Sequence, residues 1–477
     1  MPPLKVKWKT DLEKGVVTSN FERRGWTRSE VESDWNIYWA SVNTIRQIFN
    51  PETGIRLTDM QLVNHFPNHF ELTRKDLMVK NVKRYLKEVA RDAAMLGKQP
   101  PPKDFVPVTY LLPADYSIFV EEFRRNPNAM WIMKPTARSQ GKGIFIINKL
   151  AQIRKWSQQS RWAQMPLREA YVISRYVEDP LVIGGKKFDL RLYVLVSSYR
   201  PLRIYQYAHG FARFCNTKYN NDVEDIDNPF IHLTNVAIQK KDDAYSTSHG
   251  GKWHVQNLRL YLESTYGLER TDRCFFEMDQ LIIHSLKAVQ GVINNDKHCF
   301  ELYGYDVLLD ANLRPWLIEV NASPSLSTTT EPDRIMKSAL LRDVFAVVAP
   351  QVPASLPEGS KSLFACTSPD KHVSGTNNSS GASSNYTATA ASNVSPCYPV
   401  GSFQVLYDEA AENAAANNSD GGSQGVGAPY SSAGIGSSLD YLYASQRNGG
   451  GNTAGGDKDE GRGRKTVQHS NSKSEWK

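Results

Sequence analysis

The chain has 477 residues, 57 Lys+Arg against 50 Asp+Glu for a net charge of +7, and 40% hydrophobic residues. That length exceeds one compact core and predicts two or three domains, while no run reaches the roughly 20 apolar residues of a membrane span. Five scattered cysteines without a CxxC pair argue against a disulfide scaffold or zinc module, and the charged start Met1-Pro2-Pro3-Leu4-Lys5 has no apolar signal core, so a reducing, cytoplasmic setting is expected.

Residues 1–100 read as a small N-terminal α/β domain. It carries the aromatic run Asp34-Trp35-Asn36-Ile37-Tyr38-Trp39 and then a helix, with Thr73 as expected cap and Asp76 three residues on. Val79, Val82, Leu86 and Val89 form its apolar stripe. Lys80, Lys83, Arg84, Lys87 and Arg91 form a basic face, either solvated surface or a landing strip for an acidic polymer. His65 and His69 have metal-ligand spacing, but Pro67 between them breaks a continuous helix, so a structural role is expected. Pro100-Pro101-Pro102 marks a linker.

From 101 to 354, strand patterns at 131–134, 144–147, 171–173 and 192–196 mix with helical patterns near 272–291 and 332–348. The fold class is α/β (α+β), with this stretch as the catalytic body. Between the first two strands, Ala137-Arg138-Ser139-Gln140-Gly141-Lys142-Gly143 reads as a glycine hairpin. Its backbone can approach an anion and its Lys142 adds a charge; a plain surface hairpin is the other reading. In Lys186-Lys187-Phe188-Asp189-Leu190-Arg191, residues Lys187, Asp189 and Arg191 share one strand face, with Asp189 placed to orient Arg191. Phe188 and Leu190 point the other way.

The most specific pattern is the hairpin 301–321. A turn centred between Asn312 and Leu313 sets Asp306 opposite Glu319, with Asn321 on the Glu319 face and Asp310 as a turn residue. Two facing carboxylates in an apolar hairpin need a cation. Mg²⁺ carrying phosphates suits such oxygens; an ion pair with Lys or Arg is the alternative. His298 and Cys299 beside the hairpin are expected to be structural.

From about 355, Ser, Gly, Ala and Asn dominate, and 355–477 reads as a low-complexity, disordered tail. The tail holds 9 basic and 11 acidic residues, which leaves 48 basic against 39 acidic before it, near +9. A basic folded part predicts an acidic partner. No kinase loop or nucleic-acid module is read, and neither nucleic acid nor membrane is expected as partner.

Residues 131–135, 140–143, 187–191, 232–235 (His-Leu-Thr-Asn) and 316–324 together resemble the tubulin tyrosine ligase-like family, over about residues 5–350. Asp34-Trp35-Asn36 and Asn64-His65-Phe66-Pro67-Asn68-His69 resemble the branch that holds the catalytic subunit of a neuronal tubulin polyglutamylase complex. The resemblance implies an ATP-grasp-like body that uses ATP and two Mg²⁺ ions. Lys134, Gln140 and Gly141 would contact ATP, Ser174-Arg175-Tyr176-Val177 would form the hinge at its base, and Lys187, Phe188, Asp189, Thr234 and Asn235 would border the nucleotide. Asp306, Glu319 and Asn321 would hold metal, and Lys142, Arg191 and Glu319 would act in catalysis. Arg213 and Lys252, with Gln140 and Asn321, would bind the incoming glutamate and acceptor. The implied reaction adds glutamate to glutamate side chains of tubulin C-terminal tails through an acyl phosphate, at microtubules of the cytoplasm or cilium, with accessory subunits. Glycine or tyrosine ligation, or a non-catalytic cytoskeletal role, are the alternatives.

Overall fold

Strand and helix patterns resolve into three sheets with covering helices. The computed structural model describes residues 5–97, 104–136, 138, 141–155, 170–243, 245, 251–328, 330–349 and 399–419, all within one compact unit, Met1–Ser438. The first sheet is parallel, in the order β2-β1-β3-β4, from β1 (Lys7–Thr10), β2 (Thr27–Arg28), β3 (Ile37–Trp39) and β4 (Leu62–Val63). Parallel strands need cover on both faces. Here Trp8 of β1 stacks on Phe21 of helix Gly15–Arg23 at 4.9 Å, and Phe21 meets Phe345 of helix Glu331–Val348 at 4.9 Å. The apolar side chains of this segment therefore enter a core shared with the body, including Tyr193, Tyr205, Phe300 and Leu340. Backbone joins the same parts: Val63 N donates to His298 O (2.8 Å) and Phe300 N to Val63 O (3.1 Å). His65 is structural, 2% exposed, with Nδ1 at 2.5 Å from the buried Glu301 carboxylate.

The expected helix runs Lys75–Leu96 and ends on Gly97 in the left-handed region. Its start differs from the reading. Thr73 closes a preceding short helix, Phe70–Thr73, and its hydroxyl donates to His69 O; Arg74 is the cap position and binds Asp76. The second sheet is antiparallel, order β5-β8-β6-β7, from β5 (Thr109–Leu112), β6 (Trp131–Pro135), β7 (Phe145–Ile147) and β8 (Tyr171–Arg175). Phe119 of helix Tyr116–Arg125 meets Trp131 edge-on at 5.1 Å and covers it.

The third sheet comprises β9 (Val182–Ile183), β10 (Lys186–Tyr199), β11 (Leu202–Tyr207), β12 (Phe211–Phe214), β13 (Lys252–His254), β14 (Glu301–Leu309), β15 (Pro315–Asn321) and β16 (Phe403–Asp408). β10 is its axis. Along one edge it pairs with β12 and then β11; along the other it pairs with β14, which pairs with β15. Helix Leu268–Gln290 buries Met278, Ile282, Leu286 and Val289. β16 corrects the sequence reading, because it lies in the expected disordered tail yet pairs with β11. Phe403 is fully buried at 4.8 Å from the Tyr207 ring, and Arg203 Nε donates to Asp408 at 2.9 Å. The rest of that expected tail, outside 399–419, lies outside the described residues. Among the described residues no helix is long and apolar enough to cross a membrane.

Candidate active site

A cleft of about 1100 Å³, its solvent mouth included, is lined from both the β5–β8 sheet and the β10/β14/β15 sheet. It brings together Lys134, Gly141, Lys142, Ser174, Arg175, Tyr176, Val177, Lys187, Asp189, Thr234, Asn235, Asp306 and Glu319. These are widely separated in sequence, and most of the positions expected to contact nucleotide are among them. Gln140 lies outside the described residues. Phe188 is a correction: it faces away on β10, 1% exposed, packed on Phe214 at 5.1 Å, and does not line the cleft. Residues one apart on a strand point to opposite faces, so Asp189 can be in the cleft only if Phe188 is not.

Two rows of charges run across the sheet at the cleft, with Asp189, Asp306 and Glu319 in its lining. On β10, β14 and β15, Arg191, Asp306 and Glu319 are opposite one another; on β10, β12 and β13, Asp189, Arg213 and Lys252 are. Directly opposed positions share a sheet face, which collects six charged side chains on one surface. The Asp306–Glu319 pairing is as expected, for a reason the turn alone does not supply. Next to the turn Leu309 pairs with Pro315 and Val307 with Leu317, one residue short of the expected register; a bulge at Ile318 then restores Asp306 opposite Glu319. Asp310 is the turn residue, accepting from Asn312 N, Arg314 N and Trp316 Nε1.

The cation expected beside the carboxylates is present in the chain itself. Arg191 Nε and Nη2 donate to Asp306 at 2.6 and 3.1 Å, and Arg213 Nη2 lies 3.0 Å from the same carboxylate. Arg213 also donates to Asp189 at 2.8 and 2.5 Å. Asp189 therefore orients Arg213, not Arg191 as the sequence suggested. Burial alone would raise the Asp306 carboxyl, but Arg191 and Arg213 hold it well below the usual carboxylate range. Glu319, with a fifth of its side chain exposed, pairs with Lys75 at 3.0 Å and accepts from Asn321 Nδ2 at 3.2 Å. Among the described residues no group of three or more His, Cys, Asp or Glu is placed to hold a metal; the expected trio has two acids and an amide. Its hard oxygens fit Mg²⁺. Glu319 and Asn321 are at the open side, whereas Asp306 shares both its oxygens with guanidinium groups.

Two lysines add to the lining, Lys134 from β6 and Lys187 from β10 on the face of Asp189. Burial pulls Lys134 down to about 8, with Glu319, Asp306 and Asp189 offsetting only part of the cost. Burial likewise pulls Lys187 down to about 8. Lys187 Nζ donates to Tyr176 Oη (2.8 Å) and His232 O (3.1 Å). Burial and the Lys187 charge push His232 down to about 4, so it is neutral at pH 7; its Nε2 bonds Asp225 O and its Nδ1 takes the Tyr176 hydroxyl. Half-buried Lys134 and buried Lys187, neither in an ion pair with a carboxylate among the described residues, suit a polyanionic ligand. In the β6–β7 hairpin, Gly141 has φ +76°, and a Cβ there would come 2.3 Å from Ile238 Cδ1 and 3.1 Å from Asn235 Oδ1. Glycine lets this turn approach Asn235.

Lys252 and Asn321 flank the cleft without lining it. Lys252 donates to buried Asp333 at 3.2 Å, and Lys337 contacts the same carboxylate at 3.1 Å. Sequence reasoning missed Lys75, Arg138 and His232 as lining residues. His232 begins the 232–235 run and was within reach; Lys75 shows no local signal, because only the packing of its helix brings it to Glu319.

The Tubulin-tyrosine ligase family profile matches residues 54–356. The chain is 50% identical over 422 residues to the Probable alpha-tubulin polyglutamylase Ttll1 of Tetrahymena thermophila, covering 86% of this chain and 95% of that one. It is 43% identical over 373 residues to the Probable tubulin polyglutamylase TTLL9 of Bos taurus, covering 72% and 79%. It is 36% identical over 331 residues to the Tubulin polyglutamylase TTLL5 of Homo sapiens, covering 66% and 24%.

Proposed function

The chain belongs to the tubulin-tyrosine ligase family, and on that premise we propose that it is an ATP-dependent ligase that joins glutamate to glutamate side chains of tubulin tails. The observation that carries this is the cleft itself, which Lys134, Lys142 and Lys187 line together with the Asp306–Glu319 rung. The names of its relatives, tubulin polyglutamylases, support the choice of acceptor.

When bound, ATP with Mg²⁺ would supply the γ-phosphoryl group to the acceptor carboxylate and leave as ADP, so that the amine of glutamate could displace phosphate, with loss of a proton, to form the amide. Lys134, Lys142 and Lys187 would neutralise the phosphates, and the backbone of 174–177 would meet the base, with Tyr176 fixed by Lys187 and His232. Asp306, Glu319 and Asn321 would hold the metal. Arg213 takes the carboxylates of glutamate as a bidentate donor, with Lys252 next to it on β13. Accessory subunits and a location on microtubules or cilia belong to the same reading.

The test is transfer of labelled glutamate to tubulin by the purified chain with ATP, in competition with glycine and tyrosine. Incorporation of glutamate alone supports the proposal. Preference for glycine or tyrosine, or no ATP-dependent incorporation with the family's accessory subunits present, overturns it.

A further inference from the structure

Helix Glu331–Val348 has two charged sides. Inward, Asp333 and Lys337 are buried against Lys252 and the active-site rows. Outward, the helix and the end of helix Gly15–Arg23 bound a groove lined by Arg23, Arg24, Arg334 and Arg342 over a floor of Ile335, Ser338, Ala339 and Ala346. Among the described residues the lining holds four arginines and no acid. Ile335 is 57% exposed, so the floor is partly apolar and uncovered.

The arginines are presented differently. Arg24 is fixed: its Nη2 donates to Arg342 O at 3.0 Å, and its guanidinium lies over Trp26 at 5.3 Å. Arg334 pairs with the surface carboxylate Glu331, their side chains 51% and 61% exposed, whereas Arg342, 62% exposed, donates to the buried Asp343 at 2.8 Å. An exposed pair such as Arg334–Glu331 is worth little and exchanges readily for another carboxylate, and the exposed Arg342 keeps donors free beyond the one held by Asp343. Counting both partners, the groove still carries a positive excess.

We propose that this groove is a docking site for an acidic peptide segment, separate from the catalytic cleft and on the outer side of the helix whose inner side bears Asp333 and Lys337. Charge selects the occupant. Guanidinium forks match side-chain carboxylates bidentately, and the apolar floor takes the methylenes of glutamate or an interspersed aliphatic residue. The connector at 350–398 is a poor candidate because it has only two acids, Glu358 and Asp370. The inference deepens the proposed function by giving the acidic acceptor, or an acidic partner, a hold outside the cleft.

The experiment uses the full chain without ATP or glutamate, so it reads on an inactive protein and fails independently of the ligase reading. A fluorescein-labelled glutamate-rich peptide of about a dozen residues is titrated by anisotropy at low salt. The combined R23E, R334E and R342E variant should bind at least about tenfold more weakly, and the milder R23Q, R334Q and R342Q variant should fall between. Reversing Lys80, Lys87 and Arg91 to glutamate on helix Lys75–Leu96 should change affinity less than about twofold. Unchanged binding in both groove variants, loss only in the helix variant, or tighter binding of an equally charged oligonucleotide to this groove would each overturn the proposal.

Discussion

Substituting the two halves of the carboxylate rung separates stability from catalysis. Asp306 is 2% exposed and lies between Arg191 at 2.6 Å and Arg213 at 3.0 Å. Asp306→Asn keeps the shape but leaves two buried guanidinium groups short of a charge, and breaking a buried pair from one side costs about 3–5 kcal/mol. At about 2 °C per kcal/mol for a chain of this size, the melting temperature should fall by about 6–10 °C. Glu319 keeps a fifth of its side chain in solvent and has one ionic partner, Lys75, so Glu319→Gln should cost under about 1 kcal/mol. Glu319→Gln should nonetheless abolish glutamate transfer, because on the proposed function it removes an oxygen that would hold the metal. Differential scanning fluorimetry and labelled-glutamate transfer on the same preparations decide this. An Asp306→Asn protein that melts within about 2 °C of wild type, or a Glu319→Gln protein that transfers at the wild-type rate, would refute the reasoning.

Lys134 and Lys187 titrate near 8, below their unfolded value of about 10.5. Between those values the unfolded chain binds more protons, so their contribution to ligand-free stability rises with pH over that interval. A bound polyphosphate should recharge them, giving uptake approaching about two protons near pH 9 and almost none near pH 6.5, measured calorimetrically in buffers of different ionisation enthalpy. A Cβ on Gly304 would meet Pro324 Cβ at 2.9 Å and Arg191 Cδ at 3.3 Å; Gly304→Ala should cost about 1–3 kcal/mol in urea unfolding and slow transfer. Phe403→Ala should lower stability by about 3–5 kcal/mol, and a chain ended at residue 398 should melt lower than the full chain.

Periodicity carried further than composition. The rung, the hairpin and the charged face of β10 were legible because period two and turn residues act over a few residues. Which strands flank β10 was not, so the partner of Asp189 was assigned within its own strand although Arg213 of β12 is closer. The bulge at Ile318 carries no turn signal and is set by packing. β16 was hidden by averaging: Phe403-Gln404-Val405-Leu406-Tyr407-Asp408 is six residues in a Ser/Gly/Asn-rich context. Phe188 needed only the period-two rule already applied to its neighbours.

The return of β16 to β11 makes the molecule separable at a known seam. Closing a longer connector costs only about 0.6 kcal/mol per doubling, so residues 350–398 should accept an inserted tag. A protease nick there would leave the strand bound by its ladder, the Phe403–Tyr207 contact and the Arg203–Asp408 pair. Co-expressed as 1–350 and 399–477, the two fragments should copurify, and Phe403→Ala should release the smaller one.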